Sequence, residues 1–263
     1  MFRALQIALV AAFCAVYAAF GSDNLALGVP GPADQVLDRD GYALGYSSSA
    51  RQPLWVTYRL TASEVTNRVV RRTDDFQPDP WIETEPVTPA DYLRSGYDRG
   101  HLAPAADMLW SSNVMVESFL MSNMSPQRPA FNRGIWARLE QAVRQIAVRE
   151  GSVFVVTGPV FDLTNGVFES ANTANRSPLA IGRTGVRVPD GYYKVLLDET
   201  PPRKAIGFIL PNAGSNRPLG EFACTVDDVE RATGLDFFQG LDDPSESELE
   251  SAPPDLQAWQ MDR

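Results

Sequence analysis

Apolar and polar positions alternate in part along Leu54-Trp55-Val56-Thr57-Tyr58-Arg59-Leu60, a β-branched and aromatic run that predicts a strand. Three compact apolar runs between turn residues, at 153–157, 192–197 and 205–210, predict further strands buried in a core. Residues 132–150 change period. Ile135, Leu139, Val143, Ile146 and Ala147 recur every three or four positions, Arg and Gln fill the other faces, and Gly151 ends the pattern, which predicts a helix. Residues 112–121 suit a short helix, and Thr225 with Asp228 and Gly234 reads as the cap, first turn and stop of another. The intervals are less regular. Residues 23–40 contain Gly-Val-Pro-Gly-Pro and read as an irregular lead-in, 77–89 as a Pro-rich connection, and 245–254 as a mobile Pro/Ser/Glu segment. The pattern is α+β, a central sheet with few helices in one domain.

Composition alters this picture at the two ends. Met1-Phe2-Arg3, an uncharged run from Leu5 to Phe20 and then small residues have the order of a secretory signal peptide, with cleavage after about Ala18 or Gly21. An uncleaved anchor is the alternative, but a spanning helix needs about twenty residues. The expected organisation is therefore a leader over 1–21, a lead-in over 22–41, a main folded domain over 42–240 and an acidic, flexible tail over 241–263. The expected address is secreted or periplasmic, without stable membrane association after cleavage; an anchored form or the mitochondrial intermembrane space is the alternative. With Cys14 inside the leader, only Cys224 remains, and no intrachain disulfide is possible.

The formal net charge of −10 is unevenly placed. From Glu221 to the end, twelve acids face Arg231 and Arg263 alone, so this stretch carries −10 by itself. Residues 94–149 hold seven arginines against Asp98, Asp107, Glu117 and Glu140, a local +3. Lys194 and Lys204 are the only lysines, so nearly all positive charge is planar guanidinium, suited to bidentate phosphate contacts.

His101 is the only histidine in the chain. Its side chain is the one naturally poised near neutral pH to activate water, though a solitary histidine is more often structural. The scarcity is itself informative. Two-histidine zinc sites and HExxH centres cannot be built, an isolated Cys224 excludes thiolate zinc, and no P-loop, GxGxxG or GxSxG string is present. Any metal would be a hard cation held by oxygen. Asn132 could supply one carbonyl oxygen from the first turn of its helix or simply cap that helix. Glu140 lies eight residues on, turned by about 80° and about 12 Å along the axis. It reads either as a residue reaching an ion's hydration shell or as an exposed glutamate paired with Arg144.

Asp98-Arg99-Gly100-His101, with Asn123, Gln127, Asn132 and Glu140 in that spacing, resembles the signature of the endonuclease G-like DNA/RNA non-specific endonuclease family. Trp55 to Tyr58, Phe76 to Pro80, Thr157 to Val160, Phe208 to Asn212 and Gly234 to Phe238 extend the resemblance over residues 42–238. The resemblance implies a ββα-metal (His-Me finger) nuclease fold with a central, mostly antiparallel sheet flanked by helices. It implies metal-dependent hydrolysis of DNA and RNA to 5′-phosphate and 3′-hydroxyl ends. It assigns His101 as general base, Asn132 as the direct ligand of Mg²⁺ (Mn²⁺ as a substitute), Glu140 as a partner of the ion's water and Arg99 as a phosphate neutraliser. Asn123, Gln127 and an upstream arginine, Arg71 or Arg72 with Arg72 preferred, are the expected substrate-side residues. Partners would be the DNA and RNA backbone, which carries no base information, and a second copy in a homodimer. The rival readings are a DNA-restricted scavenging nuclease of the same fold and a catalytically silent nucleic-acid-binding protein.

Overall fold

The computed structural model describes residues 22–163 and 180–261; the expected leader at 1–21 lies outside the described residues. A seven-stranded antiparallel sheet organises them. Its strands are β1 (Gln35–Asp38), β2 (Ala43–Ser47), β3 (Gln52–Thr61), β6 (Ser152–Val160), β9 (Gly191–Asp198), β10 (Lys204–Pro211) and β11 (Ala223–Cys224), neighbours in that order. Two strands pair apart from it: β4 (Asp98–His101) runs antiparallel to β5 (Met124–Gln127). Short β7 (Ala180–Ile181) and β8 (Val186–Arg187) form a third pair.

Both faces of the large sheet are covered, which is why its central strands read as near-continuous apolar runs. On β9, Tyr192 and Leu196 enter one cluster with Val56, Tyr58, Val155 and Phe208. The alternate residues Tyr193, Val195 and Leu197 enter the other with Trp55, Phe154, Val156 and Ile209. The first face is packed by α3 (Ala137–Glu150) through Leu139, Val143 and Ile146, together with α1 (Ala62–Thr66) and α2 (Ser112–Ser118). The second face is packed by α4 (Val226–Thr233) through Val226 and Val229. Thr225 caps α4 by accepting from the Asp228 N–H, and Gly234 ends it in the left-handed region at φ 73°.

Two segments depart from expectation. The lead-in contains a 3-10 turn (Asp23–Leu25) and edge strand β1, with Leu25 and Leu27 buried. It carried too few apolar residues to show a period, yet pairing with β2 orders it. In the tail, Asp242 caps a fifth helix, α5 (Asp243–Ser251), where a mobile segment was expected. Leu249 and Trp259 are buried, so sparse apolar anchors outweigh a polar composition. No helix among the described residues is long and apolar enough to cross a membrane.

Candidate active site

β4, β5 and α3 form a ββα unit laid on the first face of the sheet. Between β5 and α3 the chain makes a π-helical turn, Phe131–Trp136, in place of the first turn of the expected helix. Aromatic packing fixes that turn. Phe131 stacks on Trp136 (5.3 Å between centroids) and on Tyr192 of β9 (5.2 Å). The Tyr192 hydroxyl donates to the Pro126 carbonyl at 2.8 Å, tying β5 to the same strand.

His101 closes β4 opposite Met124 and is only 8% exposed. Its ring packs against Phe76 (5.6 Å) and edge-on against Phe119 (4.9 Å), which also touch each other at 4.9 Å, so the three rings form a triangle. Arg99 covers the outer side of Phe76 at 4.0 Å, and Arg72 lies over Phe119 at 4.9 Å. Nε2 is enclosed and has no hydrogen-bond partner. Burial first, then the Arg72 and Arg99 guanidiniums, push the imidazole pKa down to about 3. The ring is therefore neutral at physiological pH, with nitrogen lone-pair density available. Arg72, not Arg71, is the upstream arginine that bears on His101, and it bears on Glu140 as well.

Phe76 is held by its own loop. Asp79, fully buried, accepts from Arg39 Nη2 and from the Ser122 hydroxyl, and the Gln77 N–H donates to the Phe119 carbonyl. The aromatic-x-x-Asp-Pro word thus has a mechanical reading: the acid anchors the loop and the aromatic seats the histidine.

Asn132 lies in the second position of the π turn rather than at a helix cap. Its Nδ2 donates to Asp98 Oδ2 at 2.9 Å, and Asp98 also accepts from Arg133 through Nε (2.9 Å) and Nη2 (2.7 Å). With the nitrogen end committed to Asp98, the amide oxygen of Asn132 is the atom that could hold an ion. An oxygen donor of this kind, with no thiolate or second imidazole beside it, fits a hard divalent cation.

Glu140 follows one turn into α3 and is half-buried. Arg144 does not serve it as the expected helical partner. Its Nη1 donates instead to Asp107 Oδ1 at 2.8 Å, and the Tyr58 hydroxyl donates to the other Asp107 oxygen at 2.9 Å. Burial raises the Glu140 carboxyl, with Asp107 adding to the rise, while Lys194, Arg144 and Arg72 oppose it. Lys194 was missed in the sequence. It is 1% exposed, lies 4.6 Å over the Trp136 ring, and has no hydrogen-bond partner at Nζ. Burial lowers its ammonium pKa and Glu140 holds it up, so the two behave as a pair. The signal was present: one lysine in the middle of the otherwise apolar Tyr192–Leu197 run, on the same face as Tyr192 and Leu196.

Asn123 and Gln127, expected at the substrate, are fully buried, so neither touches a substrate in this conformation. Asn123 Oδ1 accepts from the Ala103 N–H, and Nδ2 donates to the carbonyls of Ala103 and Ser118, each at 2.9 Å. It braces the loop leaving His101. Gln127 packs its side chain over Gly100, where any Cβ would collide with it. Both residues position the site from beneath.

The profile of the DNA/RNA non-specific endonuclease family matches residues 20–244. The chain belongs to the DNA/RNA non-specific endonuclease family. The match takes in the lead-in and ends at the start of α5. A nuclease of Syncephalastrum racemosum is 39% identical over 237 residues, covering 84% of this chain and 72% of that protein. A mitochondrial nuclease, EXOG, of Danio rerio is 35% identical over 215 residues, covering 79% of this chain but 62% of the relative. The solved structure of an EndoG/EndoGI complex, concerned with EndoG inhibition, superposes with a TM-score of 0.74 at 33% identity, covering 83% of this chain and 91% of that one. This family member thus has the fold expected from its DRGH sequence and is a nuclease by descent. The mitochondrial relative agrees with the alternative address read from the sequence rather than with export.

Proposed function

We propose that this endonuclease cleaves both DNA and RNA, without sequence preference, by metal-dependent phosphodiester hydrolysis that leaves 5′-phosphate and 3′-hydroxyl ends. The observation that carries this reading is His101, packed against Phe76 and Phe119, with Arg99 over the first of those rings and Arg72 over the second. Asn132 would hold one Mg²⁺, or Mn²⁺ in its place, through its amide oxygen. When bound, the ion stabilises negative charge on a phosphoryl oxygen and on the departing 3′ oxygen.

This chain's own residues supply the remainder. His101 removes a proton from water, whose oxygen bonds to phosphorus; the P–O3′ bond breaks, and the 3′ oxygen leaves with the electron pair and takes a proton from solvent. Arg99 and Arg72 pair with the phosphate. Doing so offsets the two positive charges that depress His101, so substrate raises the basicity of the imidazole when it is needed. Glu140 orients water beside Asn132. Lack of base preference follows from contacts made to backbone alone. The assembly into a homodimer and the mitochondrial or exported address belong to the same proposal.

Plasmid and RNA incubated with the protein and Mg²⁺ or EDTA test the reading directly. Cleavage of both that EDTA abolishes is expected, and absence of metal-dependent cutting of either overturns it. His101→Ala is expected to reduce kcat by at least ~100-fold while the fold is kept. Asn132→Ala should lose the response to Mg²⁺; an unchanged Mg²⁺ titration would remove the residue from the metal site.

A further inference from the structure

On the sheet face opposite the ββα unit, α5 packs against α4 and β10. The family match ends at residue 244, so nearly all of α5 lies beyond it. Leu249 is the apolar anchor of this helix, and the next residue, Glu250, is buried as well, at 7% exposed. A carboxyl in that position needs a partner. The partner is another carboxyl: Glu250 is hydrogen-bonded to Glu230 of α4. Two ionised carboxylates are acceptors only, so a hydrogen bond between them requires one proton. Glu230 Oε1 also accepts from the Phe237 N–H at 2.8 Å, which favours charge on Glu230 and assigns the proton to Glu250. The surroundings agree. The charged groups that bear most on Glu250 are Glu230 and Asp227 of α4, Glu246 of α5 and Asp236 of the connecting segment, all carboxylates. Asp243, at the start of α5, adds negative charge at Glu246. Cations on the adjoining elements are engaged elsewhere, Arg231 with Asp228 and Lys204 with Glu150 and Asp198.

We propose that the Glu250–Glu230 pair is a proton latch: docking of α5 on α4 takes up one proton from solvent, and α5 is released as that proton is lost. Burial and the four acids raise Glu250 to about 8 in the docked state, against about 4.3 for a glutamate free in solution. Docking is therefore strongest below about pH 4.3 and weakens as pH rises, until Glu250 ionises in place at about 8. Release is local. Phe238 before α5 and Trp259 after it are both buried, and Trp259 packs in the cluster on the other face of the sheet, so α5 comes away as a loop pinned at both ends.

Amide hydrogen exchange of the full chain, followed by mass spectrometry on peptides covering 243–251 and corrected for intrinsic rates, tests this. Protection of α5 is expected to fall about tenfold per pH unit between about pH 5.5 and 7.5, the slope for one proton, and to level off above about pH 8. Glu250→Gln replaces the protonated carboxyl by a neutral donor. Its α5 should stay protected, above the parent at about pH 7.5, and the slope should flatten to within about threefold over the whole range. Glu230→Gln gives the same reading from the other side if Glu250→Gln does not fold, because its amide oxygen keeps the Phe237 N–H while its nitrogen donates to ionised Glu250. Protection that does not vary with pH in the parent overturns the proposal. A slope that persists in the folded glutamine variants overturns it equally, as does a folded Glu250→Gln whose α5 is unprotected at every pH, since a neutral donor would then not suffice.

Discussion

His101 sits in an environment that opposes its protonation from every side: burial, Arg72 and Arg99. The consequence reaches beyond catalysis. A histidine with a folded pKa of about 3 and an ordinary unfolded value near 6.5 leaves the unfolded chain binding the extra proton between those limits. Its contribution is therefore fully present above pH 6.5 and is lost as pH falls toward 3. Between pH 7 and pH 5 this costs about 2 kcal/mol. Urea unfolding of the parent and of His101→Gln at both pH values should show the parent losing that much more than the variant; equal losses would mean the imidazole titrates normally. Lys194 poses the complementary problem, as an ammonium buried beneath Trp136 and coupled to Glu140. Lys194→Met removes the charge that most favours ionised Glu140, so the carboxyl pKa rises further. The acid limb of the kcat/KM pH profile should move to higher pH, a displacement absent in the Glu140→Gln background. A profile scaled down uniformly with its shape intact would reduce Lys194 to a packing role.

Among elements, legibility followed burial geometry. The strands 153–157, 192–197 and 205–210 and the helix after Asn132 announced themselves because each buries a long apolar surface with a clear period. β1, β4 and β5 did not, being four residues each and, in β4 and β5, made of the polar residues that build the site. The DRGH motif named the candidate site, but the word alone did not reveal that it is a strand. Arg99 faces Pro126 and Gly100 faces Ser125 across the hairpin, and Gln127 lies over the Gly100 Cα. Asp107 and Phe119 were illegible as site residues for another reason, because only the fold shows which side chains meet there; Lys194, from β9, left a sign as the one charge in an apolar run but none of its meeting with Glu140. The tight Gly100–Gln127 contact gives a test at this scale. Gly100→Ala forces the buried Gln127 side chain to move and should cost about 1–3 kcal/mol, together with a fall in kcat from a displaced His101. Adding Gln127→Ala opens the space, so a double-mutant cycle should return a favourable coupling of at least about 1 kcal/mol. Additive losses would show that the glycine is needed for something other than this contact.

Across the whole molecule the acidic excess and the candidate site are kept apart. The stretch from Glu221 onward carries a net −10, and as a free chain it would compete with nucleic acid for the central arginines. The fold instead docks that stretch. α5 lies on the far face through Leu249, and the last turn carries Trp259, 1% exposed, into the cluster beside the end of α3. There the Arg149 Nη2 donates to the Trp259 carbonyl at 3.1 Å, and Lys204 lies 5.1 Å over its ring. These contacts are at the opposite end of α3 from Asn132, so the tail's anchor bears on stability rather than on access to the site. Trp259→Ala should accordingly lower the unfolding free energy by about 3–5 kcal/mol, the cost of emptying a fully buried aromatic site, as read from urea denaturation. Cleavage per folded molecule, measured at a temperature where both proteins are native and across a salt series, should stay within about twofold of the parent. A tail acting as a competitor would behave in the opposite way: its release would slow cutting at low salt, and the deficit would vanish as screening shortens the reach of its charges.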